Sequence, residues 1–170
     1  MSKADEEFVT FFQGSYQRVF RGAFAACGDW PVAEEATQEA FARAYARWRR
    51  LRAAPWVEGW VMTTALNEAR KLVRREGRTR AFAAANATTS KDAGDFADPI
   101  DQREGIRRAI LHLPERDRTA LILFYLCDQS TASIAGLMGC SESTVRSHLT
   151  SARRALSELL GSKEDEDGYA

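Results

Sequence analysis

The sequence predicts an all-α fold of two small helical domains joined by a flexible linker, with a helix-turn-helix in the second domain. Apolar residues recur at spacings of three and four along most of the chain, whereas no stretch alternates as a strand would. Glycine, proline and capping residues separate these stretches at helical lengths. Residues 78–102 lose the periodicity and are rich in Ala, Thr, Asp and Gly, so they are predicted to be the linker.

The first domain, residues 1–77, is predicted to contain three helices separated by glycine and proline. Pro31 suits the first turn of the second helix, because the amide hydrogen that proline lacks has no intrahelical partner there. Acidic residues lie at the start of that helix and arginines at its end, which complements the helix dipole. An irregular loop over 52–59 precedes the third helix. The predicted helices cover 5–27, 32–51 and 60–76.

The second domain, residues 103–161, contains the helix-turn-helix, and Pro114 opens a strongly apolar helix ahead of it. Ser130 can cap the first helix of the motif and Ser141 the second, because a serine hydroxyl can accept from the amide groups of a first turn. Gly139 suits the left-handed conformation of a sharp helix end. One face of the second helix is apolar and is predicted to be buried. That face consists of Val145, Leu149, Ala152, Leu156 and Leu159.

The opposite face of this helix has the side chains that recognition in the DNA major groove uses. It carries small hydrogen-bonding groups and arginine, with no acid beyond Glu142 at its start. Such a face can reach base edges and phosphates. The alternative is an ordinary helix pair with a solvated side, since patterns of this kind also arise by chance. The candidate DNA-binding residues are Ser143, Thr144, Arg146, Ser147, Thr150, Ser151 and Arg154.

The charge distribution restricts the classes of function. The chain has 24 basic and 24 acidic residues, which argues against a basic protein that coats nucleic acid. Arginines nevertheless cluster over 43–52 and 70–80, and local basic patches can bind phosphate. Residues 162–170 form an acidic tail. The sequence shows no signal peptide and no apolar run near the roughly 20 residues of a membrane span, so we expect a cytoplasmic protein without membrane insertion.

The reactive residues in the sequence do not form a recognisable active site, so the chain is predicted not to be an enzyme. His112 and His148 have no evident catalytic partners in the sequence, and there is no glycine-rich phosphate loop. Cys27, Cys127 and Cys140 are far apart, and no Cys/His spacing suggests zinc. Their ordinary role is that of small core residues in a reduced protein. We therefore expect no catalytic residue, no metal and no cofactor.

Four stretches, in one order, resemble a two-domain sigma factor of the extracytoplasmic-function (ECF) group of the sigma-70 family. AEEATQEAFARAYARW at 33–48 resembles the helix that docks on RNA polymerase. GWVMTTALNEARKLVRR at 59–75 resembles the helix that reads and melts the −10 promoter element. LPERDRTALILFYL at 113–126 resembles the start of the second domain, and SIAGLMGCSESTVRSHLTSARRAL at 133–156 resembles the element that reads −35. The resemblance implies a bacterial factor that binds core polymerase and promoter DNA to initiate transcription.

The resemblance also implies roles for individual residues. Docking on the β and β′ subunits of core polymerase is implied for Glu35, Gln38, Glu39 and Arg43. Contact with the −10 element and its melting are implied for Trp56, Trp60, Asn67, Arg70, Lys71, Arg74 and Arg75. The candidate residues of the helix-turn-helix become the −35 contacts. Lys71 and Ser133 depart from the family pattern, which often has aspartate and glutamate there, and this leaves the promoter sequence open.

Several alternatives remain open at this point. Trp60 could be plain core, and Asn67 could be an ordinary surface amide. The linker is implied to lie in the nucleic-acid channel of polymerase, but a passive tether is an equal alternative. An anti-sigma protein is a further partner that the resemblance leaves open. The rival function is a helix-turn-helix transcriptional regulator with an N-terminal sensing or dimerisation domain; an adaptor without a DNA-reading helix fits residues 130–156 poorly.

Overall fold

The structure is a computed structural model that describes residues 1–86 and 101–164, with side chains over 1–79 and 104–161. The described ranges are helical, with short turns and no strand, so the all-α prediction is confirmed. None of the described helices is long and apolar enough to cross a bilayer. The helices are α1 Lys3–Cys27, α2 Trp30–Ala46, α3 Trp48–Leu51, α4 Val57–Asn86, α5 Asp101–His112, α6 Glu115–Tyr125, α7 Thr131–Met138 and α8 Glu142–Glu164.

Helices α1, α2 and α4 pack against one another and build the first domain. Helix α1 begins in a capping box, in which Ser2 accepts from the Asp5 amide and Asp5 accepts from the Ser2 amide. Asp29 caps the start of helix α2, where its side chain accepts from the Val32 amide at 3.0 Å, and Pro31 lies in the first turn as predicted. The facing sides of the three helices are rich in alanine, which lets their backbones approach closely. The buried alanines are Ala23, Ala33, Ala36, Ala40, Ala44, Ala65 and Ala69.

Two of the three helices predicted in the first domain have the wrong bounds. The predicted helix over 32–51 is broken at Arg47, where the backbone leaves helical geometry (φ −113°, ψ 9°). The third helix begins at Val57 and continues through Asn86, well beyond its predicted end. Alanine-rich sequence suggested a linker from residue 78, but alanine is also the strongest helix former, and here that propensity prevails. The acidic centre of the predicted linker, residues 87–100, lies outside the described residues.

Helix α8 packs on α5, α6 and α7 to form the second domain, and the caps predicted for its helix-turn-helix are present. Ser130 accepts from the Ser133 amide at 3.1 Å, and Ser141 accepts from the Thr144 amide at 3.1 Å. Gly139 ends α7 with φ +66°. The apolar stripe of α8 is buried over its first half, but Leu159 is 39% exposed, so its predicted burial is wrong. A stripe with a seven-residue repeat drifts about 20° per heptad around a straight helix, which turns its end away from the core.

The two domains also pack against each other, which the sequence did not predict. One continuous apolar core includes Val19 and Met62 of the first domain together with Ile122 and Leu123 of the second. Helix α4 contacts both α6 and α7, and α1 contacts α5 and α6. The domains therefore form one closed body in this structure.

We expect the Cys127 thiol to resist alkylation in the folded chain. Cys127 is 4% exposed, and burial raises its pKa to about 12. Because the thiolate is the reactive species, treatment with iodoacetamide at pH 8 should leave Cys127 unmodified, whereas the denatured chain should be labelled at all three cysteines. Peptide mass spectrometry measures both. Labelling of Cys127 at equal rates in folded and denatured protein would contradict this burial.

Candidate nucleic-acid interface

The face of α8 predicted to read DNA is open to solvent. All seven predicted residues lie on it, and Thr144 alone among them is half-buried. The Ser141 hydroxyl lies 2.9 Å from that of Ser143 and 2.8 Å from that of Thr144, so these two predicted contacts also belong to the helix cap. Ser147 donates to the Ser143 carbonyl at 3.1 Å. The hydroxyls at the start of α8 are therefore held in place before any ligand arrives.

The two predicted arginines of α8 differ in their surroundings. Arg146 lies 3.5 Å from Glu142, and both side chains are largely exposed, so this pair is weak and can exchange for a phosphate contact. Thr131 donates to the same Glu142 carboxylate at 3.0 Å, which fixes Glu142 between α7 and α8. Arg154 is exposed and has no ion pair with any described side chain. Arg154 is thus the freer of the two to reach a base edge.

Sequence reasoning missed Arg153, which lies beside this face. Its Nε donates to the Tyr125 hydroxyl at 2.9 Å, and its guanidinium lies 5.5 Å from the Phe124 ring centre. The contact links the middle of α8 to the end of α6. Aromatic residues at the end of one helix and an arginine 28 positions later carry no local signal, so only the tertiary structure shows this pair.

A second contact fixes α8 on α6, and it gives His148 a structural partner that the sequence did not indicate. His148 Nδ1 lies 2.6 Å from Asp117 Oδ1. Asp117 is 5% exposed, in the first turn of α6, and the His148 side chain is 21% exposed. The pair holds the buried side of α8 and thereby sets the orientation of the opposite face, which is predicted to read DNA.

The first domain presents a basic surface along one side of α4. Lys71, Arg75, Arg78 and Thr79 line an open groove of about 580 Å³. Arg75 and Arg78 have no ion pair with a described side chain, whereas Lys71 lies 2.9 Å from Glu68. The hydrogen bond from Lys71, together with Arg43, lowers the pKa of Glu68. The groove is too open for a small molecule but suits a chain of phosphates.

The aromatic residues predicted for melting lie at the start of α4. Trp56 is 41% exposed in the turn before the helix, and Trp60 is half-buried against the core. The Arg47 guanidinium lies 6.0 Å from the Trp60 ring centre, at the outer limit of a cation–π contact. Arg47 was not among the predicted residues, because the break in α2 that places it there was not predicted. Asn67 is exposed two turns beyond Trp60 and accepts from Arg70 at 3.0 Å.

Six of the seven residues predicted for the −10 element lie on α4, in two groups, and Trp56 precedes the helix. Trp60, Asn67, Lys71 and Arg75 lie along the open side of α4, at spacings of seven, four and four residues. Arg70 and Arg74 instead face the second domain and its Glu115. The two groups adjoin, because Arg70 donates to Asn67 at 3.0 Å and Arg74 lies seven residues, or two turns, beyond Asn67.

The residues predicted to dock on polymerase lie on α2. Glu35, Gln38 and Glu39 are exposed. Arg43 is half-buried and bridges Glu39 at 2.7 Å and Glu68 at 2.8 Å. The hydrogen bond to Glu39 is the main reason that the pKa of Arg43 is raised. Arg43 therefore ties α2 to α4, while Glu35 and Gln38 remain available to a partner.

Comparison with known proteins gives a consistent result for both domains. Residues 11–79 match the family model "Sigma-70 region 2", and residues 103–156 match "Sigma-70, region 4". A probable RNA polymerase sigma factor, RfaY of Xanthomonas campestris pv. campestris, is 31% identical over 146 residues, which cover 81% of this chain and 36% of RfaY. The ECF RNA polymerase sigma factor SigE of Mycolicibacterium smegmatis is 29% identical over 154 residues, covering 88% of this chain and 60% of SigE.

A third sigma factor and one solved structure agree with these matches. The ECF RNA polymerase sigma factor SigM of Mycobacterium tuberculosis is 26% identical, covering 76% of this chain and 64% of SigM. The chain thus spans between about a third and two thirds of the length of these relatives. The sigma factor RpoE of Bartonella quintana, solved with the anti-sigma factor NepR, has the same fold, with a TM-score of 0.73, 22% identity and coverage of 92% of this chain and 98% of RpoE. With both regions matched in order over more than half its length, the chain belongs to the sigma-70 family, and the relatives named here include members of its ECF group.

Proposed function

We propose that this chain directs core RNA polymerase to promoters, with α2 docking on polymerase, α8 reading the −35 element and α4 reading and opening the −10 element. The observation that carries the proposal is that each matched region coincides with one domain that presents an exposed basic helix face. The chain acts by binding alone, without catalysis of its own. Because polymerase and promoter DNA are its partners, we place it in the cytoplasm.

Reading of the −35 element follows from the geometry of α8. A helix with small polar side chains and arginine fits the major groove, where hydroxyls and guanidinium groups can reach base edges. The held hydroxyls of Ser143 and Thr144 near the start of α8 are preorganised for phosphate or base contact. Arg154 and Arg146 extend the contact along the helix.

Opening of the −10 element needs a surface that holds unstacked bases. Aromatic side chains can stack on such bases, and a basic groove can follow their phosphates. The exposed Trp56, the half-buried Trp60 and the exposed amide of Asn67 lie at one end of α4, and the groove lined by Lys71 and Arg75 continues from them. This arrangement supports capture of a flipped base at the start of α4.

The Asn67→Ala variant should bind core polymerase normally but form fewer open complexes, because a base-contacting amide is lost while docking residues are untouched. The fraction of duplex promoter in heparin-resistant complexes measures this, and a pre-melted template should restore only part of the activity. Wild-type opening by Asn67→Ala would show that Asn67 is ordinary surface.

The Glu35→Lys variant should bind core polymerase more weakly, because it reverses an exposed charge on the docking helix. Glu35 is a better position for this test than Glu39, because replacing Glu39 would also break its ion pair with Arg43. The double variant with Glu39→Lys should bind more weakly still, with an unchanged circular dichroism spectrum. Glu6→Lys, an equal charge reversal in the first turn of α1, is the control. Wild-type affinity of both the single and the double variant would remove α2 from the docking surface.

We extend the proposal to an anti-sigma partner, on the likeness to RpoE, which was solved bound to the anti-sigma factor NepR. Affinity purification of the tagged chain from its own cells, followed by mass spectrometry, tests this part. Recovery of core polymerase subunits alone would remove the anti-sigma protein from the proposal and leave the rest intact.

Run-off transcription with purified core polymerase on a library of genomic promoters tests the function as a whole. We expect discrete start sites that depend on both the chain and core polymerase. Transcription that never depends on the chain, together with tight binding of the chain alone to a specific duplex site, would instead identify a helix-turn-helix regulator.

A further inference from the structure

A cleft separate from the groove on α4 lies where the start of α1 meets the end of α2 and the short helix α3. Its volume is about 540 Å³, and it is more enclosed than that groove. This size falls within the roughly 300–1,000 Å³ range of clefts that hold small ligands. No residue predicted above to contact DNA or polymerase is among its described lining residues. Its polar and aromatic lining residues are Ser2, Asp5, Tyr45, Arg47, Arg49 and Arg50.

One wall of the cleft is a tyrosine ring that is held in place. The Tyr45 hydroxyl donates to Asp5 Oδ1 at 2.9 Å, and the ring centre lies 4.9 Å from that of Phe8. Asp5 in turn accepts from the amide and from the hydroxyl of Ser2, each at 2.8 Å. Tyr45 is nevertheless 53% exposed. An exposed ring that is already held can stack on an unstacked base with little further loss of side-chain entropy.

The remaining charge of the cleft is basic. Arg47, Arg49 and Arg50 are exposed, and none of them forms an ion pair with a described side chain. The described lining has one acid, Asp5, whose oxygens accept from Ser2 and Tyr45. Three positive charges therefore face one negative charge that is already hydrogen-bonded. Guanidinium groups bind phosphate oxygens through charge-assisted hydrogen bonds, so this excess suits a phosphate.

Arg47 connects the cleft with the aromatic residues at the start of α4. It lines the cleft, and its guanidinium lies 6.0 Å from the Trp60 ring centre. The cleft is thus adjacent to the place where a flipped base is proposed to be held. A single strand that passes Trp60 meets the cleft next, so this placement favours a nucleotide of that strand over a free nucleotide.

We propose that the cleft is a second nucleotide-binding site on the first domain, in which a base stacks on Tyr45 while Arg49 and Arg50 bind the adjoining phosphates. Its ligand is a nucleoside phosphate within single-stranded promoter DNA, beside the base held at Trp60 and Asn67. The proposal rests on the proposed function for the identity of the strand, whereas the affinity of the cleft for single-stranded DNA does not require polymerase. Because stacking accepts any base, the site has little base preference.

Fluorescence anisotropy of the full chain with a fluorescein-labelled, mixed-sequence single-stranded oligonucleotide tests the stacking. Tyr45→Leu should bind about five- to tenfold more weakly, because it loses the aromatic face. Tyr45→Phe keeps the ring and should retain most of the affinity. Both variants keep an apolar side chain against Phe8, and their circular dichroism spectra should match that of the wild type. Equal affinity of all three proteins, or an equal loss in both variants, would overturn the proposal.

The salt dependence of the same binding tests the phosphate contacts. The double variant Arg49→Ala/Arg50→Ala should reduce the slope of log affinity against log salt by roughly 1.4, since each contact with a single strand contributes about 0.7. Arg108→Ala, which removes an exposed arginine of α5, is the control and should leave the slope unchanged. An unchanged slope in the double variant would overturn the proposal.

Competition with deoxyadenosine monophosphate separates the two sources of a nucleotide. At millimolar concentration it should not displace the oligonucleotide, because it offers no neighbouring phosphates to Arg49 and Arg50. Displacement by the free nucleotide that Tyr45→Leu abolishes would overturn the strand as the occupant and make the cleft a site for a free nucleotide.

An abasic scan with core polymerase places the cleft on the strand. On a pre-melted promoter, single abasic nucleotides in the −10 strand should weaken binding of the wild-type holoenzyme at two positions. Asn67→Ala should remove the sensitivity at one of them and Tyr45→Leu at the other, because a lost base cannot matter once its partner is gone. Wild-type sensitivity of Tyr45→Leu at every position would overturn the second site, even with intact run-off transcription. Absent run-off transcription, with the oligonucleotide affinity still dependent on Tyr45, would overturn the proposed function alone.

Discussion

The Asp117→Ala variant should lose about 3 kcal/mol of stability, because removing one member of a buried polar pair leaves the other without its partner. Asp117 is 5% exposed, and its Oδ1 lies 2.6 Å from His148 Nδ1. Since the pair joins α6 to α8, we also expect weaker binding to the −35 element. Urea denaturation followed by circular dichroism measures the first effect, and the midpoint should fall without a change in slope.

Two further variants give this prediction its controls. Asp117→Asn keeps an acceptor oxygen at the same position and should cost less than Asp117→Ala. Glu142→Ala removes a carboxylate from an exposed pair in the same domain and should change stability by at most about 1 kcal/mol. If Asp117→Ala were as stable as Glu142→Ala, the pair of Asp117 and His148 would not be what fixes α8 on α6.

Replacing arginine on the open face of α8 should weaken promoter binding by the holoenzyme. Arg154→Ala should cost about 1–3 kcal/mol and relax sequence preference at one position, as loss of a bidentate base contact does. Arg146→Ala should cost less and weaken binding to all sequences alike, as loss of a phosphate contact does, with a reduced dependence on salt. Electrophoretic mobility shifts over a library of −35 variants measure both.

The control for these arginines is Arg108→Ala, which removes an equal charge from the same domain. Arg108 is exposed on α5 and pairs with Glu104 at 3.0 Å, away from the predicted reading face. It should leave binding nearly unchanged. Unaltered promoter binding by both Arg146→Ala and Arg154→Ala would show that α8 does not read DNA.

The features that were predicted correctly from the sequence depend on residues close together in the chain. Ser130, Gly139 and Ser141 cap or end helices through groups three or four residues away, so their roles follow from local geometry. The open face of α8 follows from its buried stripe in the same way. The residues on that face were predicted as a set and lie together on one surface, although their contacts with DNA stay a prediction.

The features that were not predicted from the sequence depend on contacts between segments that are far apart in the chain. Gly59 carries no local sign that Leu137 will approach it, and Glu115 gives none that it will reach Arg70. The closed arrangement was therefore missed, although each helix within it was expected. The extension of α4 was missed for a different reason. Its alanines are common in flexible linkers, but alanine is also a strong helix former, so composition alone does not distinguish the two structures.

The most direct measurement of the central claim is permanganate reactivity of thymines on a duplex promoter found by run-off transcription. With wild-type chain and core polymerase together, thymines around the −10 element should become reactive, because the strands there are separated and their bases unstacked. With either component alone they should stay unreactive. Thymines that remain unreactive in the presence of both, at a promoter that the chain occupies, would contradict the assignment of this chain as a factor that opens promoter DNA.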